Sequence, residues 1–246
     1  MSPIQATKQR NQITQQIRNF FNEQSFTEVE TPILTTIPGM EPHLTPFETN
    51  FTDGRTLYLN HSPELQMKKL LAQNFGNIFN ITKVFRNGEI GGPTHNPEFT
   101  MIEWYRENAD YTDIMKDCEN LISSLATKIT YQGKTIDLTG PWPRKSVQEL
   151  FQEYCQIDLT SQDPFKNHDT SGCQTWDDKF FKVFLNEIEP HLGKEKPLIV
   201  YDYPSTQAAL AKKSSKNPFF AERFELYIAG LEIANAFSEL IDAKEQ

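Results

Sequence analysis

Side chains that could do chemistry are concentrated in the run FRNGEIGGPTHNPEFTMIEWYR, between positions 85 and 106. Arg86 ends an apolar stretch there, and the polar loop that follows carries Glu89 and His95. A guanidinium beside such a loop suits a polyphosphate, because it binds phosphate oxygens through a bidentate fork. Phe99 offers a flat face on which a base could stack. Taken alone, these residues are equally compatible with a solvated hairpin that carries an exposed charged loop.

The second half of this run reads as a strand, in which successive side chains alternate between two faces. One face carries an aromatic ring, a carboxylate and a phenol, from Phe99, Met101, Glu103 and Tyr105. The opposite face carries Thr100, Ile102 and Trp104. The alternation therefore predicts that the chemically capable side chains line one wall.

The elements that must position these residues can be read from periodicity and turn signals. We predict a helix over 7–24, an irregular loop over 33–46, and a short strand at 57–59. A helix follows, with Ser62 as its N-cap and Pro63 at its first position. Strands over 78–86 and 99–106 then form a hairpin with a long loop.

The second half of the chain is organised less clearly. A helix is predicted over 111–128, another over 177–190, and a strand over 198–203. The stretch 130–175 gives no clear pattern; TGPWPRKS and SQDPFKNHDTSG within it read as loops.

The tail over 219–240 fits two structures. Positions 225, 232, 235 and 239 lie on one stripe of a helix, because their spacings are seven, three and four. A hairpin turning at 229–230 would pair 227 with 232 and 225 with 234. It also places Glu225 and Glu232 on one face, but needs a bulge to bring Asn235 round.

Composition excludes several classes of protein. The 246 residues of the chain carry a net charge of −9, with a pI near 5.1 and a mean hydropathy of −0.57. No stretch approaches a membrane span, no leader peptide is evident, and the acidic balance argues against a broad nucleic-acid surface. Three widely spaced cysteines predict reduced thiols in a cytoplasmic protein, with no CxxC or His/Cys pattern for zinc.

The motifs resemble a known family. FRN-x-E followed by HNPEFTM-x-E-x-Y resembles motif 2 of class II aminoacyl-tRNA synthetases, in the form of the lysyl branch. TEVETPIL resembles motif 1, and ERFELY-x-x-GLE-x-AN-x-FSEL is similar to the segment before motif 3. SPE-x-x-MK-x-LL, GKEKP and P-x-x-QA-x-LA narrow the resemblance to the lysyl-synthetase paralogues that modify elongation factor P.

This resemblance implies ATP as a substrate. Arg86 would be the catalytic residue, holding the α-phosphate and neutralising charge during attack by the substrate carboxylate. The expected ATP-binding set also contains Glu89, His95, Asn96 and Phe99, with Phe99 stacked on adenine. His95 as a solvated loop histidine is the alternative.

The resemblance also implies lysine or (R)-β-lysine as the second substrate. Glu64 would bind its amino group, and Ser62 would either join it or serve only as a helix cap. The pocket expected for the distal ammonium contains Glu103, Tyr105, Asn235 and Glu239, because a buried ammonium needs a carboxylate. Glu225 and Glu232 would bind Mg²⁺ and ATP. The resemblance also favours the hairpin over the helix for the tail, and we adopt the hairpin.

The implied fold is α+β: an antiparallel sheet flanked by helices, in a single catalytic domain over 1–246 without an anticodon-binding domain. We expect a homodimer that aminoacylates elongation factor P, and no membrane or tRNA partner. No GxGxDR-like motif 3 occurs in the sequence, so the domain is expected to be incomplete at its C-terminus and impaired alone. An inactive binding module and a tRNA-charging synthetase core are the alternatives.

Overall fold

The structure is a computed structural model that describes residues 2–39, 44–88, 92, 94–208 and 210–246. The chain divides into two compact units, Met1–Glu107 and Asn108–Gln246, and each is described by itself. Both units mix helices with antiparallel strands, which confirms the predicted α+β class. The single domain over 1–246 stays a prediction.

Two helices and six strands lie within the described residues of the first unit. In chain order they are α1 (Pro3–Glu23), β1 (Thr27–Glu28), β2 (Leu34–Thr35), β3 (Phe47–Asn50), β4 (Thr56–Leu59), α2 (Glu64–Leu71), β5 (Ile78–Phe85) and β6 (Glu98–Tyr105).

The predicted long-looped hairpin is the centre of this unit. Strands β5 and β6 pair antiparallel, with Asn80 opposite Glu103, and β1 adds to β5 in parallel. The predicted faces are confirmed: the Glu103 and Tyr105 side chains meet on one face. On the other face, Trp104 lies against Phe21 of α1 at 5.2 Å between ring centroids.

The two helices of this unit begin where local hydrogen bonding dictates. Helix α1 starts earlier than predicted, because Ser2 and Gln5 form a reciprocal capping box ahead of Pro3. Helix α2 starts at Glu64, so the prediction of Ser62 as N-cap and Pro63 as first residue is one position too early. Pro63 is the cap residue and has no capping side chain.

In the described part of the second unit there are three α-helices and six strands. They are α3 (Tyr111–Leu125), β7 (Lys128–Tyr131), β8 (Lys134–Asp137), β9 (Arg144–Ser146), α4 (Val147–Cys155), α5 (Trp176–Val183), β10 (Leu198–Pro204), β11 (Phe220–Ile228) and β12 (Leu231–Phe237). A π-helical turn at Phe184–Ile188 and 3₁₀ turns at Glu189–His191 and Ser205–Gln207 complete it.

The tail is a hairpin and not a helix. Strands β11 and β12 join through Ala229 and Gly230, both at positive φ. Tyr227 pairs with Glu232 as predicted, but Glu225 pairs with Asn235 instead of 234. The register shift between 226 and 227 is the bulge that the sequence required to bring Asn235 round.

The four-stranded sheet runs β12-β11-β10-β9, and helices cover one face of it. Helix α4 was missed in the sequence, although a capping box formed by Ser146 and Glu149 marks its start. Its buried Leu150 and Phe151 join Phe180 of α5 and Tyr203 of β10 in the main core cluster.

Candidate active site

Glu103 of β6 is the best-defined acceptor of the first unit. Tyr105 Oη donates a hydrogen bond to its Oε1 at 2.7 Å, and Ser62 Oγ donates to its Oε2 at 2.9 Å. The strand places Glu103 and Tyr105 on one face, and the turn before α2 supplies Ser62. The carboxylate is therefore fixed from both sides before any ligand arrives.

The environment of Glu103 favours its neutral form. The pKa of this carboxyl is raised to about 7, mainly by burial and in smaller part by the nearby Glu64 carboxylate. Hydrogen bonds from Tyr105 and Ser62 and the charge of Lys68 oppose that rise without cancelling it. A cationic group arriving at Glu103 would reverse the balance, because an opposite charge stabilises the ionised carboxylate.

Ser62 connects the carboxylate to the helix. Its Oγ accepts a hydrogen bond from Glu64 N at 3.0 Å while donating to Glu103. Ser62 lies one residue before the N-cap Pro63, accepts from the first backbone N–H of α2 and orients Glu103 through its proton. Its role in binding the substrate stays a prediction.

Glu64 lies in the first turn of α2, where the helix dipole favours a carboxylate. Its Oε1 accepts a hydrogen bond from Lys68 Nζ at 2.7 Å, one helical turn away. Both side chains are largely shielded, with 15% and 23% of their surfaces exposed. The structure thus brings Ser62, Glu64, Glu103 and Tyr105 together, as the sequence predicted for four of the amine-binding residues.

Arg86 and Phe99 also meet. The guanidinium carbon of Arg86 lies over the Phe99 ring, 5.2 Å from its centroid. The pairing holds because Arg86 follows β5 directly and Phe99 lies near the start of β6, so the hairpin brings them side by side. One face of the ring is thereby covered by a cation that is suited to a phosphate.

The loop that follows carries the other nucleotide candidates. His95 and Asn96 are exposed, and His95 Nδ1 lies 3.1 Å from Thr94 Oγ1. Glu89 lies outside the described residues. The sequence expectation for these three side chains stays a prediction.

Glu225 of β11 is a buried carboxylate that accepts hydrogen bonds from three side chains. Its Oε2 accepts from the hydroxyls of Tyr203 and Tyr227, at 2.6 and 2.7 Å, and its Oε1 accepts from Arg223 at 2.6 Å. Arg223 also lies over the Tyr203 ring, 4.5 Å from the centroid. Burial and the neighbouring carboxylate hold the pKa values of both phenols well above their usual range, so they remain donors.

The predicted metal role of Glu225 and Glu232 is not favoured by this arrangement. Three donors already occupy the oxygens of Glu225, whereas Mg²⁺ needs carboxylate lone pairs directed at it. Within the described residues, no group of three or more His, Cys, Asp or Glu side chains could hold a metal ion. Glu232 is exposed on β12.

Asn235 and Glu239 belong to this second unit. Asn235 is exposed on β12 opposite Glu225, and the backbone of Glu239 forms an isolated bridge with Ala211. Their predicted role in an ammonium pocket with Glu103 and Tyr105 stays a prediction.

Several neighbours of these carboxylates escaped sequence reasoning. Lys68 could have been found, because Glu64 and Lys68 have the i,i+4 spacing of a helical ion pair. Arg223 and Tyr227 could also have been found, because they lie two positions from Glu225 and share its face of a strand. Tyr203 could not, since only the pairing of β10 with β11 brings it to Glu225.

Comparison with known proteins places these observations in a family. Residues 4–246 match the model for tRNA synthetases class II (D, K and N). No helix in the described part of the chain has both the length and the apolar character needed to cross a membrane.

Characterised relatives carry one shared description. The elongation factor P–(R)-β-lysine ligase of Histophilus somni strain 2336 is 40% identical over 256 residues, covering 99% of this chain and 76% of that protein. The ligase of the same name from Haemophilus influenzae strain PittGG is 40% identical over 250 residues, covering 96% and 74%. That of Salmonella schwarzengrund is 38% identical over 252 residues, again covering 96% and 74%. The chain belongs to the class II tRNA synthetase family (D, K and N).

Proposed function

We propose that this chain is an AMP-forming ligase that activates lysine or (R)-β-lysine with ATP and transfers it to elongation factor P. In the first step, a carboxylate oxygen of the amino acid attacks the α-phosphorus of ATP. The bond to the β-phosphate oxygen breaks, and pyrophosphate leaves. In the second step, the ε-amine of a lysine on the factor attacks the acyl carbon, and AMP leaves as the amine loses a proton.

The observation that carries this proposal is the geometry around Glu103. A carboxylate held by Ser62 and Tyr105, beside a second carboxylate at Glu64, suits a molecule with two ammonium groups. A neutral side chain of similar length would leave Glu103 without a cation, which is costly for an ionised carboxylate in a partly buried site. We assign the distal ammonium to Glu103 and the amino group near the carboxyl to Glu64.

Arg86 is assigned to the α-phosphate. Its guanidinium is already oriented by the Phe99 ring, so it can stabilise charge that develops on the phosphoryl oxygens without reorganising. Phe99 is assigned to the adenine, which would use the face of the ring that Arg86 does not cover. His95, Asn96 and Glu89 are kept in the nucleotide set on the resemblance alone.

Magnesium is assigned to the incoming nucleotide and not to a resident protein site. Mg²⁺ is commonly held by substrate phosphates with one or two protein carboxylates. Glu225 is engaged by three donors, so we propose that it supports the sheet while Glu232 lies near the nucleotide. Asn235 and Glu239 remain candidates for contacts with the amino acid.

The names of the relatives support the proposal that elongation factor P is the acceptor, since each is described as an elongation factor P–(R)-β-lysine ligase. The proposal keeps the predicted cytoplasmic location, because elongation factor P is a translation factor. tRNA is not proposed as an acceptor.

A homodimer is proposed from the outer surface of α1. Ile4 and Ile13 on this helix are 70% and 46% exposed. A groove of about 350 Å³ runs between α1 and the β5–β6 sheet, lined by residues that include Arg10, Ile13, Ile17, Ile81, Thr100 and Ile102. An apolar groove beside exposed isoleucines is typical of a surface that a partner subunit covers.

Amino-acid-dependent exchange of pyrophosphate into ATP tests the first step. Exchange is expected with lysine or (R)-β-lysine and not with norleucine, which has the same length without the distal ammonium. Glu103→Gln should lower exchange at subsaturating amino acid by about 100-fold, because a charge-assisted contact is lost. Equal exchange with norleucine would contradict the proposed role of Glu103.

The second candidate is a binding module without adenylation. The engagement of Glu225 by Tyr203, Tyr227 and Arg223 favours it, because a carboxylate held in this way is poorly placed to handle a metal–nucleotide complex. Calorimetry distinguishes the two candidates. The module would bind the amino acid in the presence of ATP with no pyrophosphate released.

A further inference from the structure

Lys68 lies beside the two carboxylates assigned to the amino acid. Its Nζ donates to Glu64 Oε1 at 2.7 Å, and its charge acts on Glu103, where it lowers the pKa that Glu64 raises. The groups that surround Glu103 are thus Glu64 and Lys68 from α2, Ser62 from the turn before it, and Tyr105 from its own strand.

This ion pair differs from the surface pairs of the chain. Glu64 and Lys68 expose 15% and 23% of their side chains, whereas Asp113 and Lys116, also paired along a helix, expose 41% and 61%. Exposed pairs of that kind contribute little, because water screens them. A shielded pair next to a third ionisable group has a stronger effect on the protonation of its neighbour.

We propose that Lys68 is a positioning residue of the amino-acid site, whose ammonium holds Glu64 through Oε1 and supplies a positive charge that offsets part of the repulsion between the Glu64 and Glu103 carboxylates. This inference rests on the proposed function. In it, Glu64 Oε2 is the oxygen that receives the substrate's amino group. Lys68 itself touches no reacting atom.

The charge balance explains why the residue is needed. Two carboxylates at close range disfavour each other's ionised form, so one of them takes up a proton unless a cation is present. Lys68 provides such a cation from inside the protein and lowers the pKa of Glu103, which burial and Glu64 raise. It offsets part of that rise, so a larger fraction of Glu103 is ionised when an ammonium group of the substrate arrives.

The first test measures the titration of Glu103 directly, by carboxyl-carbon NMR of the ¹³C-labelled chain without substrate. Lys68→Met should raise the midpoint of Glu103 by about half a unit, and Lys68→Arg should return it to the wild-type value. Lys69→Met is the matched control, because Lys69 is exposed on the same helix and contacts Gln66 instead. An unchanged midpoint in Lys68→Met overturns the proposal.

The second test separates positioning from general damage. Lys68→Met should raise the KM for lysine or (R)-β-lysine in pyrophosphate exchange about tenfold, with the KM for ATP unchanged. A parallel rise in both constants would overturn the positioning role. Lys68→Gln, which also removes the charge, replaces the methionine variant if that variant does not fold.

The two tests keep the proposals apart. The NMR titration needs no catalysis, so it decides the role of Lys68 even if the wild-type chain shows no exchange. Absence of exchange with a shifted Glu103 midpoint would count against the proposed ligase and in favour of the Lys68 inference.

Discussion

Glu103 combines two requirements that conflict in a single carboxyl group. It must be shielded enough to prefer a cation over water, and shielding favours its protonated form, with a pKa of about 7. Ser62 and Tyr105 donate to its two oxygens and offset part of that penalty. Its protonation is therefore poised near neutral pH, and this has consequences for both binding and stability.

Binding of the amino acid should depend on pH through Glu103. Below pH of about 7 the free site holds a proton that the ammonium must displace, so affinity should fall towards tenfold per pH unit. Calorimetric titration between pH 6 and 8 measures this, and Glu103→Gln should remove the dependence. If the affinity of the wild type does not change with pH over this range, Glu103 does not control binding in this way.

Stability should depend on pH with the opposite sign from that of an ordinary salt-bridged acid. The folded-state pKa of Glu103 lies above its ordinary value of 4.5, so the folded chain binds the proton more tightly. The contribution is greatest below pH of about 4.5 and is lost as the pH rises to about 7. Its size is on the order of 3 kcal/mol.

Urea unfolding of the wild type and Glu103→Gln at pH 5.5 and pH 8 measures this effect. From pH 5.5 to pH 8 the wild type should lose about 2 kcal/mol of unfolding free energy that the variant does not lose. A constant difference between the two proteins would show that the Glu103 carboxyl is not perturbed.

At the scale of elements, the tail hairpin shows how far a sequence pattern extends. Phe224, Leu226 and Ile228 alternate as a strand requires, and the turn at 229–230 predicted the pairing of 227 with 232. The sequence also showed that a bulge was needed to bring Asn235 to the face of Glu225. It did not show that the bulge would lie between Leu226 and Tyr227. Where a bulge lies depends on contacts with the neighbouring strand β10, which the local sequence does not contain.

Helix α4 shows the opposite case. Its signal, Ser146 followed by Glu149, was present, but the surrounding prolines and glycine favoured a loop. The helix is stabilised by burial of Leu150 and Phe151 against α5 and β10, which are distant in sequence. Tertiary packing of this kind overrides local preference.

The support of Glu225 by three donors predicts a stability effect in the second unit. Glu225→Ala should destabilise the chain by about 3 kcal/mol, because it leaves two phenols and a guanidinium without their shared acceptor. Glu232→Ala, on the exposed side of the same hairpin, is the control and should cost less than about 0.5 kcal/mol. Equal losses of unfolding free energy in the two variants, measured by urea unfolding, would contradict the stabilising role of the hydrogen bonds to Glu225.

At the scale of the whole molecule, the sequence motifs were enough to predict the family and the fold class. The contacts of individual side chains became known only from the structure. TEVETPIL and HNPEFTMIEWY indicated the class II family, and the family match over residues 4–246 confirms it. The resemblance placed Ser62 and Glu103 in one site, but the direct hydrogen bond between their side chains could not be predicted, because 41 residues separate them along the chain.

The oligomeric state is testable at the same scale. Ile13→Glu places a charge in the apolar groove beside α1, so it should convert a dimer to a monomer in sedimentation velocity. Asn11→Glu, at another exposed position of the same helix, is the control with the same added charge. A wild type that sediments as a monomer at micromolar concentration would rule out the proposed dimer surface.

The most direct test of the central claim is the mass of elongation factor P after incubation with this chain, ATP and lysine or (R)-β-lysine. We predict that the mass of one lysine-containing peptide increases by one lysyl or β-lysyl group, and that Glu103→Gln abolishes this increase at subsaturating amino acid. An unmodified factor under conditions in which tRNA becomes aminoacylated, or modification that is insensitive to Glu103→Gln, would contradict the account.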